Sequence, residues 1–502
     1  MAGKRNPAQN QLENYFKEKG NLGIVTTSTG EPIAYKDASV TVGKKGPIVL
    51  SDWELLDELS HFNRERIPER VVHAKGGGAF GYFQVTTDIT KYTEAKVFSK
   101  VNKKTEMAVR FSRVAGEHGA ADTPRDLHGF AMKFYTDDGI WDLVGNNTPI
   151  FFIRDPILFP HFIHTQKRNP VTNLRDPTMV WDFFSLRPET THQVLWLYSD
   201  RGIPDGFRHM DGFGSHTFSL INKDQKVTYC KFHFKTDQEI KNLDPKIATQ
   251  LAGSNPDYYI EDLYNAIANG DYPSWTMYIQ VMTPEQAANS SVDPFDLTKT
   301  WSKKTYPLME VGKFVLNRNA TNYFAEIEQL AFNPSSFVPG INGSPDRMLQ
   351  GRIFAYHDSH IYRLGANYAQ LPVNCPFKVN NFQRDGKATI NNKGGAPNYH
   401  PNSFGGPNSD LKLKRYQNFQ YVEGKIGQYD TIDEDNFSQA TDFYKRVLKE
   451  DERQRLVNNI VDDLGGAAKK VQDRAVENFK KVDLEFANKV RDGLKRKATV
   501  NV

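Results

Sequence analysis

Apolar and polar residues change their spacing several times along the 502-residue chain. The first 50 or so residues are polar, with scattered Gly and Pro, and predict one short helix at about residues 10–19. Residues 51–62 have the pattern of a short amphipathic helix. A segment with so few apolar residues cannot form its own core. We therefore expect this N-terminal arm to float free or to lie on a partner subunit.

From about residue 71 to residue 316 the pattern becomes that of strands. The clearest strand segments are 107–113, 128–135, 215–221, 226–234 and 313–317. Turn residues at 137–139 and 222–224 separate some of them. Many strands without regularly interleaved helices predict an antiparallel barrel or sandwich rather than a βαβ sheet.

The last quarter of the chain contains two further patterns. Residues 375–428 are rich in Asn, Gly, Pro and Lys and have little periodicity, which predicts a long segment wrapped over another surface. After residue 436 a helical period returns, from Phe443, Val447 and Leu448 onward. This pattern continues to about residue 494 and predicts a small α-helical appendix.

Residues 346–363 predict one helix, with Ser344 as its N-cap, Pro345 at its first position and Gly365 closing it. A 3.6-residue period places five side chains on one stripe, namely Met348, Arg352, Tyr356, His360 and Arg363. Burying such polar groups without partners would cost roughly several kcal/mol. We therefore expect a large polar group against this face.

Arg352 lies one helical turn before Tyr356. A permanent cation at that distance favours the phenolate, which is a hard oxygen ligand suited to Fe(III). A solvated face with one stacked Arg–Tyr pair explains the same spacing. The helix alone leaves both interpretations open.

Composition and charge narrow the class of protein. Charged residues make up 25% of the chain but the net charge is only +4, which implies no basic face and argues against nucleic acid as a partner. The two cysteines, Cys230 and Cys375, form no disulfide framework and indicate a reducing compartment. The N-terminus has no apolar signal segment, and no run approaches the roughly 18 apolar residues of a membrane span. We expect a soluble, non-secreted protein.

Two long motifs carry a family resemblance. Residues 64–76 have the sequence RERIPERVVHAKG, and residues 352–356 have the pattern R-x-F-x-Y. In this order they closely resemble the distal and proximal signatures of the haem catalases, and the resemblance extends from about Gln11 through the C-terminal helices. It implies dismutation of hydrogen peroxide to water and dioxygen on haem b (Fe), in a homotetramer whose N-terminal arms thread through neighbouring subunits. The location it implies is peroxisomal or cytoplasmic, although the C-terminal TVNV is not a clean peroxisomal tripeptide.

The resemblance also implies an α+β fold with an antiparallel eight-stranded β-barrel core. The predicted regions are an N-terminal arm with short helices (1–70), the barrel (71–318), the haem-proximal helix with the wrapping segment (319–435) and a C-terminal helical domain (436–502).

His73 is the candidate acid and base above the haem. A neutral imidazole can accept a proton from one peroxide oxygen and deliver it to the other, because its free pKa is about 6.5. The apolar neighbours of His73 suggest burial, which would keep it neutral. Without the motif, it would be taken for a core histidine. The resemblance gives Asn146 the orienting of peroxide, Ser112 the support of His73, and Tyr356 the iron.

The resemblance assigns two further sets of residues around the haem. The haem contacts are Arg70, Val72, Arg110, Ser112, Phe151, Phe159, His216, Phe332, Met348, Arg352, His360 and Arg363. The arginine fork suits propionates because it meets a carboxylate bidentately. The channel residues are Val114, Asp126, Phe152, Phe162 and Leu197. The run 148–164 also predicts a core strand followed by a helix. We hypothesise that Asp126, as a bare carboxylate in an apolar passage, orients a small dipolar substrate.

Two features of the sequence bear on nucleotide binding. Residues 76–81 match GxGxxG, but the strand-like residues that follow argue against a dinucleotide-binding helix, so we expect these glycines to allow close backbone packing. The resemblance nonetheless implies NADPH in a surface cleft formed by His192, Ser199, Arg201, Lys235, Trp301, Gln439, Phe443 and Val447. Lys303 and Asp211 depart from the residues that relatives often have there, and a carboxylate near phosphates is unfavourable unless it is paired.

The site residues argue against two functions other than hydrogen peroxide dismutation. A catalase-like peroxidase or hydroperoxide-rearranging enzyme would keep the fold, but His73, Asn146 and a Phe-lined entry argue against bulky lipid hydroperoxides. A non-catalytic haem or nucleotide carrier would need no neutral distal imidazole opposite an arginine-backed tyrosine.

Overall fold

An antiparallel β-barrel forms the centre of the molecule. The computed structural model describes residues 6–377, 379–391, 393–413 and 423–500. Its strands are β1 Gly76–Val85, β2 Lys104–Arg113, β3 His128–Thr136, β4 Gly139–Asn146, β5 Gly212–Phe213, β6 Phe218–Ile221, β7 Val227–Thr236, β8 Ser274–Met282, β9 Met309–Asn319 and β10 Ile341–Asn342. Eight of them close in the order β1-β2-β3-β4-β5-β7-β8-β9, with β9 returning to β1, while β6 and β10 extend from β7. The predicted antiparallel eight-stranded barrel is confirmed.

Large aromatic side chains fill the barrel. Phe111 of β2 stacks on Phe207 and meets Phe130 edge-on, and Trp275 stacks on Phe314. Because side chains alternate along a strand, the neighbours of Phe111 face the other way. Arg110 and Ser112 therefore point out of the barrel and into a cavity beside it.

The glycines of β1 allow its neighbours to approach closely. A Cβ on Gly81 would lie 1.8 Å from the carbonyl oxygen of Val315 on β9. A Cβ on Gly76 would lie 2.2 Å from the carbonyl oxygen of Phe111 on β2. The GxGxxG match thus lies within a strand, in agreement with the close packing predicted for it.

Helices surround the barrel and form the C-terminal region. They are α1 Gln11–Lys19, α2 Trp53–Phe62, α3 Phe159–Gln166, α4 Pro177–Leu186, α5 Thr191–Tyr198, α6 Pro245–Ser254, α7 Tyr258–Ala268, α8 Pro284–Ala288, α9 Arg347–Leu364, α10 Ser438–Asp442, α11 Glu450–Leu464, α12 Lys469–Val482 and α13 Leu484–Val500. The predicted short helix, amphipathic helix and C-terminal helices are all present. None of the described helices is long and apolar enough to cross a membrane.

Helix α9 begins later than predicted. Its N-cap is Asp346, whose side chain accepts a hydrogen bond from the backbone N–H of Leu349. Ser344 instead donates its hydroxyl to the carbonyl oxygen of Thr217, so Ser344 as N-cap and Pro345 at the first position are wrong. Gly365 does end the helix, with a positive φ of 102°.

Two irregular stretches complete the fold. The core strand expected around Phe151 and Phe152 is absent; these residues are buried in irregular backbone, tied by the N–H of Phe151 to the carbonyl of Leu297. The described parts of residues 375–428 have no helix or strand, as predicted, while 378, 392 and 414–422 lie outside the described residues. The four region boundaries remain a prediction.

Candidate active site

A cavity of about 750 Å³, including its opening, lies between the outer face of β2–β4 and helix α9. Nine predicted site residues line it, namely Arg70, Val72, His73, Arg110, Ser112, Phe159, Phe332, Tyr356 and His360. The two family motifs, far apart in sequence, therefore meet at one cavity.

The backbone around His73 holds its imidazole in place. Its φ of 63° lies in the left-handed region, which a non-glycine residue seldom adopts. The N–H of His73 donates to the carbonyl of Val114 at 3.1 Å, and its own carbonyl accepts from Arg110 at 2.7 Å. Nδ1 lies 2.9 Å from the hydroxyl oxygen of Ser112, the partner expected from the sequence.

The imidazole of His73 is neutral across the physiological range. Burial, followed by the charges of Arg110 and Arg352, lowers its pKa to about 3. Gly129, on the neighbouring strand β3, makes room for it: a Cβ there would lie 2.3 Å from the Ser112 hydroxyl and 2.5 Å from His73 Nδ1. The neutral ring can therefore accept a proton. Its orientation depends on the absence of a side chain at Gly129.

The two asparagines at the end of β4 differ in their surroundings. The half-buried Asn146 has no hydrogen bond to its amide among the described residues. Asn147 accepts from the N–H of His128 at 2.9 Å and donates to the carbonyl of Arg201. Asn147 thus supports the fold, and the amide of Asn146 is available to a ligand beside the cavity wall of Val144 and Gly145.

A hydrogen-bonded chain backs Tyr356. Arg352 Nη2 donates to the phenol oxygen of Tyr356 at 2.5 Å, and Arg352 Nη1 lies 2.9 Å from His216 Nε2. The other nitrogen of His216 lies 2.8 Å from an oxygen of Asp346, which also caps α9. Burial lowers the pKa of His216 although the carboxylate of Asp346 opposes this. The phenol oxygen consequently faces a permanent cation held by a buried relay.

Three buried arginines gather at one end of the cavity. Arg70 and Arg363 donate to the backbone carbonyls of Glu328 and Leu330, and Arg110 to that of His73. Burial and the charges of Arg110 and Arg363 lower the pKa of Arg70 well below its usual range. The carboxylate of Glu328, 3.3 Å from Arg70, is the anion paired with them in the described structure.

The buried arginines allow the fit of a haem to be judged. Within the described part of the chain, Arg110 Nε and Arg363 Nε are buried without a hydrogen-bond partner, and three cations face one carboxylate. Buried cations without counter-charge are costly, so the site requires further anions. The propionates of a haem would supply them, and the Tyr356 oxygen would supply an axial ligand. The residues present fit the group.

The remaining predicted haem contacts lie nearby. Met348 and Phe151 belong to one buried apolar cluster, with Phe159 packed against it, and the Phe151 and Phe159 rings lie 6.3 Å apart. His360 Nε2 lies 2.7 Å from the carbonyl of Phe332. Burial lowers the pKa of His360 to about 3, so it too is neutral.

The channel residues are brought together, with one correction. Val114, Phe152 and Phe162 are buried in that apolar cluster, and Leu197 packs against it. Asp126 is not a bare carboxylate: its Oδ2 lies 3.3 Å from Arg113 Nη2 and accepts from the N–H of Ala115 at 3.0 Å. An arginine from a strand 13 positions earlier cannot be assigned to this aspartate without the strand register.

The predicted nucleotide residues form two groups. Gln439 accepts from Thr300 beside Trp301, and Phe443 stacks on Trp196 at 4.8 Å. The second group is basic: the charges of Lys235 and Arg201 act on half-buried Lys303 and, after burial, lower its pKa. Asp211 is paired with Lys235 at 2.6 Å, which removes the objection to its charge. The predicted members not yet placed are His192 and Ser199, both buried, and exposed Val447.

Several site residues escaped the sequence analysis. Gly129, Gly145 and Glu328 shape the cavity or its charge, and Asp346 ends the relay behind Tyr356. Gly129 follows directly after a strand start and carries no local signal, because only the β2–β3 register places it opposite Ser112.

Comparisons with known proteins point to one family. The family model described as Catalase matches residues 26–406, and the model described as Catalase-related immune-responsive matches residues 431–494. A catalase of Ascaris suum is 59% identical over 498 residues, covering 98% of this chain and 91% of the relative. A catalase of Drosophila melanogaster is also 59% identical, covering 98% of both chains.

Solved structures are similar as well. The crystal structure of a fungal catalase has a TM-score of 0.92 and 47% identity, covering 94% of this chain and 96% of that one. Catalase A from Saccharomyces cerevisiae has a TM-score of 0.91 and 46% identity, covering 94% and 99%.

Proposed function

The chain belongs to the catalase family, whose members decompose hydrogen peroxide, and from this we propose that His73, Asn146 and Tyr356 perform that reaction around a bound haem b. The haem would be held by Tyr356 and by the three arginines. When bound, it supplies a redox-active iron at which the peroxide bond is broken and a second peroxide is oxidised. The observation that carries the proposal is the neutral, backbone-fixed His73 in the same cavity as the arginine-backed Tyr356.

His73 and Asn146 divide the work on the substrate. A neutral imidazole accepts a proton from one peroxide oxygen and returns it to the departing one, so no bulk water is needed for the transfer. Ser112 at 2.9 Å keeps the ring oriented. The amide of Asn146 offers both a donor and an acceptor that do not titrate, so peroxide is oriented at any pH.

Tyr356 and its relay act from the other motif. The phenol oxygen accepts a hydrogen bond from Arg352, which places a positive charge beside the oxygen that would bind iron. His216 is held by Asp346 through Nδ1, and its Nε2 contacts Arg352 Nη1, so the pair keeps the guanidinium in place. With haem bound, an oxygen ligand from Tyr356 would disfavour reduction of the iron.

One variant tests the catalytic assignment. His73→Ala should keep the haem and its Soret band, because His73 is not an iron ligand in this proposal. Oxygen evolution from hydrogen peroxide should fall by about 10²–10⁴-fold, the usual contribution of a general acid–base group. Oxygen evolution near the unmodified level in haem-loaded His73→Ala would refute the role.

NADPH binding is proposed for the cleft of Trp301, Phe443 and the basic residues. Arg201 and Lys303 offer positive charge for a 2′-phosphate, and Lys235 offsets the charge of Asp211 with which it is paired. Fluorescence titration of the purified holoenzyme should show uptake of NADPH at micromolar concentration. Lys235→Met should weaken it at least several-fold, whereas no uptake by the unmodified protein would reject the site.

A homotetramer is proposed from the exposed N-terminal arm. Helices α1 and α2 have no buried residue, and the arm exposes large apolar side chains such as Leu12, Phe16, Leu22 and Ile24. Exposed apolar stretches of this kind mark interaction surfaces. Light scattering of the purified full-length protein should give four times the subunit mass; a monomer at micromolar concentration would contradict the assignment.

A further inference from the structure

Strand β2 sends two consecutive side chains to two different partners. Ser112 reaches Nδ1 of His73 at 2.9 Å on the cavity side. Arg113, on the opposite face, reaches Asp126 Oδ2 at 3.3 Å and donates a second hydrogen bond to the carbonyl of Ala121. The backbone joins both, since the next residue, Val114, accepts from the N–H of His73. The same strand end therefore fixes the proposed acid–base group and the proposed channel carboxylate.

The Arg113–Asp126 pair is shielded from water. Arg113 is 2% exposed and Asp126 is 7% exposed. The ion pair with Arg113 and the hydrogen bond from the N–H of Ala115, at 3.0 Å, share the same carboxylate oxygen, Oδ2. A buried carboxylate with one charged partner depends strongly on that partner, since removing it leaves an uncompensated buried charge.

The other charged groups near Asp126 are less directly placed. Arg175 acts on it electrostatically but donates its own hydrogen bond to the carbonyl of Ala115 at 3.1 Å. Lys167, at the end of α3, is half-buried and interacts electrostatically with Glu69 and Glu117 as well as with Asp126. His128, opposite Arg113 in the β2–β3 register, is fully buried and neutral, because burial and the charge of Arg113 lower its pKa to about 3.

We propose that Arg113 is a positioning residue for peroxide passage, which pairs with the Asp126 carboxylate and holds it against the N–H of Ala115. The inference rests on the proposed channel role of Asp126. It assigns to Arg113 no contact with peroxide or haem; its effect reaches the substrate only through the aspartate.

The direction of the effect follows from burial. Desolvation raises the pKa of Asp126, and Arg113 is the largest opposing influence. Without the guanidinium the carboxyl would take up a proton at a higher pH. A protonated carboxyl at neutral pH would lack the charge that orients a dipolar substrate, so loss of Arg113 should resemble neutralisation of Asp126 itself.

The test compares holoenzyme variants by their second-order rate constant for hydrogen peroxide as a function of pH. Asp126→Asn measures the channel role alone. Arg113→Gln should lower the rate constant at pH 7 by at least about tenfold and move its acid limb upward by at least about one pH unit, since a tenfold change corresponds to one pKa unit. Arg113→Lys, which keeps the charge, should recover most of the rate. The double variant should be no slower than Asp126→Asn, because the arginine acts through the aspartate.

A matched control separates this role from a structural one. Arg208 forms a bidentate pair with Asp262 elsewhere in the fold, at 2.7 and 2.8 Å, so Arg208→Gln also removes an arginine–aspartate pair but should leave the pH profile unchanged. If Arg113→Gln does not accumulate as folded protein, Arg113→Met keeps the packed stem and replaces it with the same expectation. An unshifted acid limb in Arg113→Gln or Arg113→Met while Asp126→Asn is slow overturns the inference alone. Unchanged kinetics in Asp126→Asn overturns the channel role beneath it.

Discussion

Arg352 donates a hydrogen bond to the phenol oxygen of Tyr356 from one turn earlier on α9, at 2.5 Å. Its guanidinium is fixed from two further sides, by the carbonyl of Val144 and by His216 Nε2, both at 2.9 Å. The cation cannot swing away from the phenol without breaking these bonds, so the oxygen that would bind iron always faces positive charge.

Removal of this cation should weaken the iron site. In Arg352→Met the phenol oxygen loses its charged donor, and we expect haem affinity to fall at least about tenfold, because a hydrogen bond to a charged group contributes roughly 1.5–3 kcal/mol. Titration of apoprotein with haem, followed at the Soret band, measures this. Arg352→Lys should recover only part of the affinity, since lysine lacks the fork that spans both partners. Wild-type affinity in Arg352→Met would count against the relay.

The neighbouring asparagines should respond in opposite ways. Asn146→Ala should reduce turnover at least about tenfold with little change in stability, because its amide has no hydrogen bond to lose among the described residues. Asn147→Ala should cost about 1–3 kcal/mol of stability, because it leaves the buried N–H of His128 without its acceptor. Thermal unfolding and oxygen evolution per haem distinguish the two. The assignment fails if Asn147→Ala is the catalytically impaired variant.

Glycine at position 129 should be required for activity. A Cβ there would overlap both the Ser112 hydroxyl and His73 Nδ1, so Gly129→Ala should displace the pair and cost roughly 1–3 kcal/mol through overpacking. Turnover should fall while haem remains bound. Gly253→Ala is the matched control, because a Cβ on that helical residue meets no atom within 4 Å. Equal activity in the two variants would show that the imidazole tolerates displacement.

Acid should destabilise the fold through neutral buried histidines. The pKa of His128 is lowered to about 3 by burial, whereas an unfolded histidine has a pKa of about 6.5. The unfolded chain therefore binds more protons between these values, and stability, complete above about pH 6.5, is lost as pH falls toward 3. His128→Leu removes this proton uptake at a fully buried position. The midpoint of acid unfolding, followed by tryptophan fluorescence, should move to lower pH; a move to higher pH would contradict the account.

The motifs predicted the centre of the site because they are contiguous in sequence. His73 lies within the motif at residues 64–76 and Tyr356 within the motif at residues 352–356, and both residues line the cavity. Strand-length patterns without interleaved helices left a barrel or a sandwich open, and the family resemblance implied the eight-stranded barrel. The apolar run at 150–153 was wrongly predicted as a strand, because short apolar runs do not distinguish strand from buried irregular backbone.

Residues joined by long-range contacts could not be predicted in the same way. The partner of Asp126 comes from β2, and the room for His73 comes from Gly129 on β3. Both depend on strand register, which a single sequence specifies only through the folded barrel. Asp346 was passed over as N-cap because Ser344 fits the same local rule, and only the contact with His216 selects the carboxylate.

The left-handed backbone at His73 restricts how this scaffold can be re-engineered. With φ at 63°, position 73 disfavours β-branched side chains and tolerates Asn, Asp or Gly best among possible replacements. Few replacement residues at position 73 both suit this backbone conformation and can accept a proton. Random substitution at this position would therefore more often disturb the main chain than provide new chemistry. Diversity aimed at altered substrates is better introduced in the surrounding apolar walls, where the main chain makes no such demand.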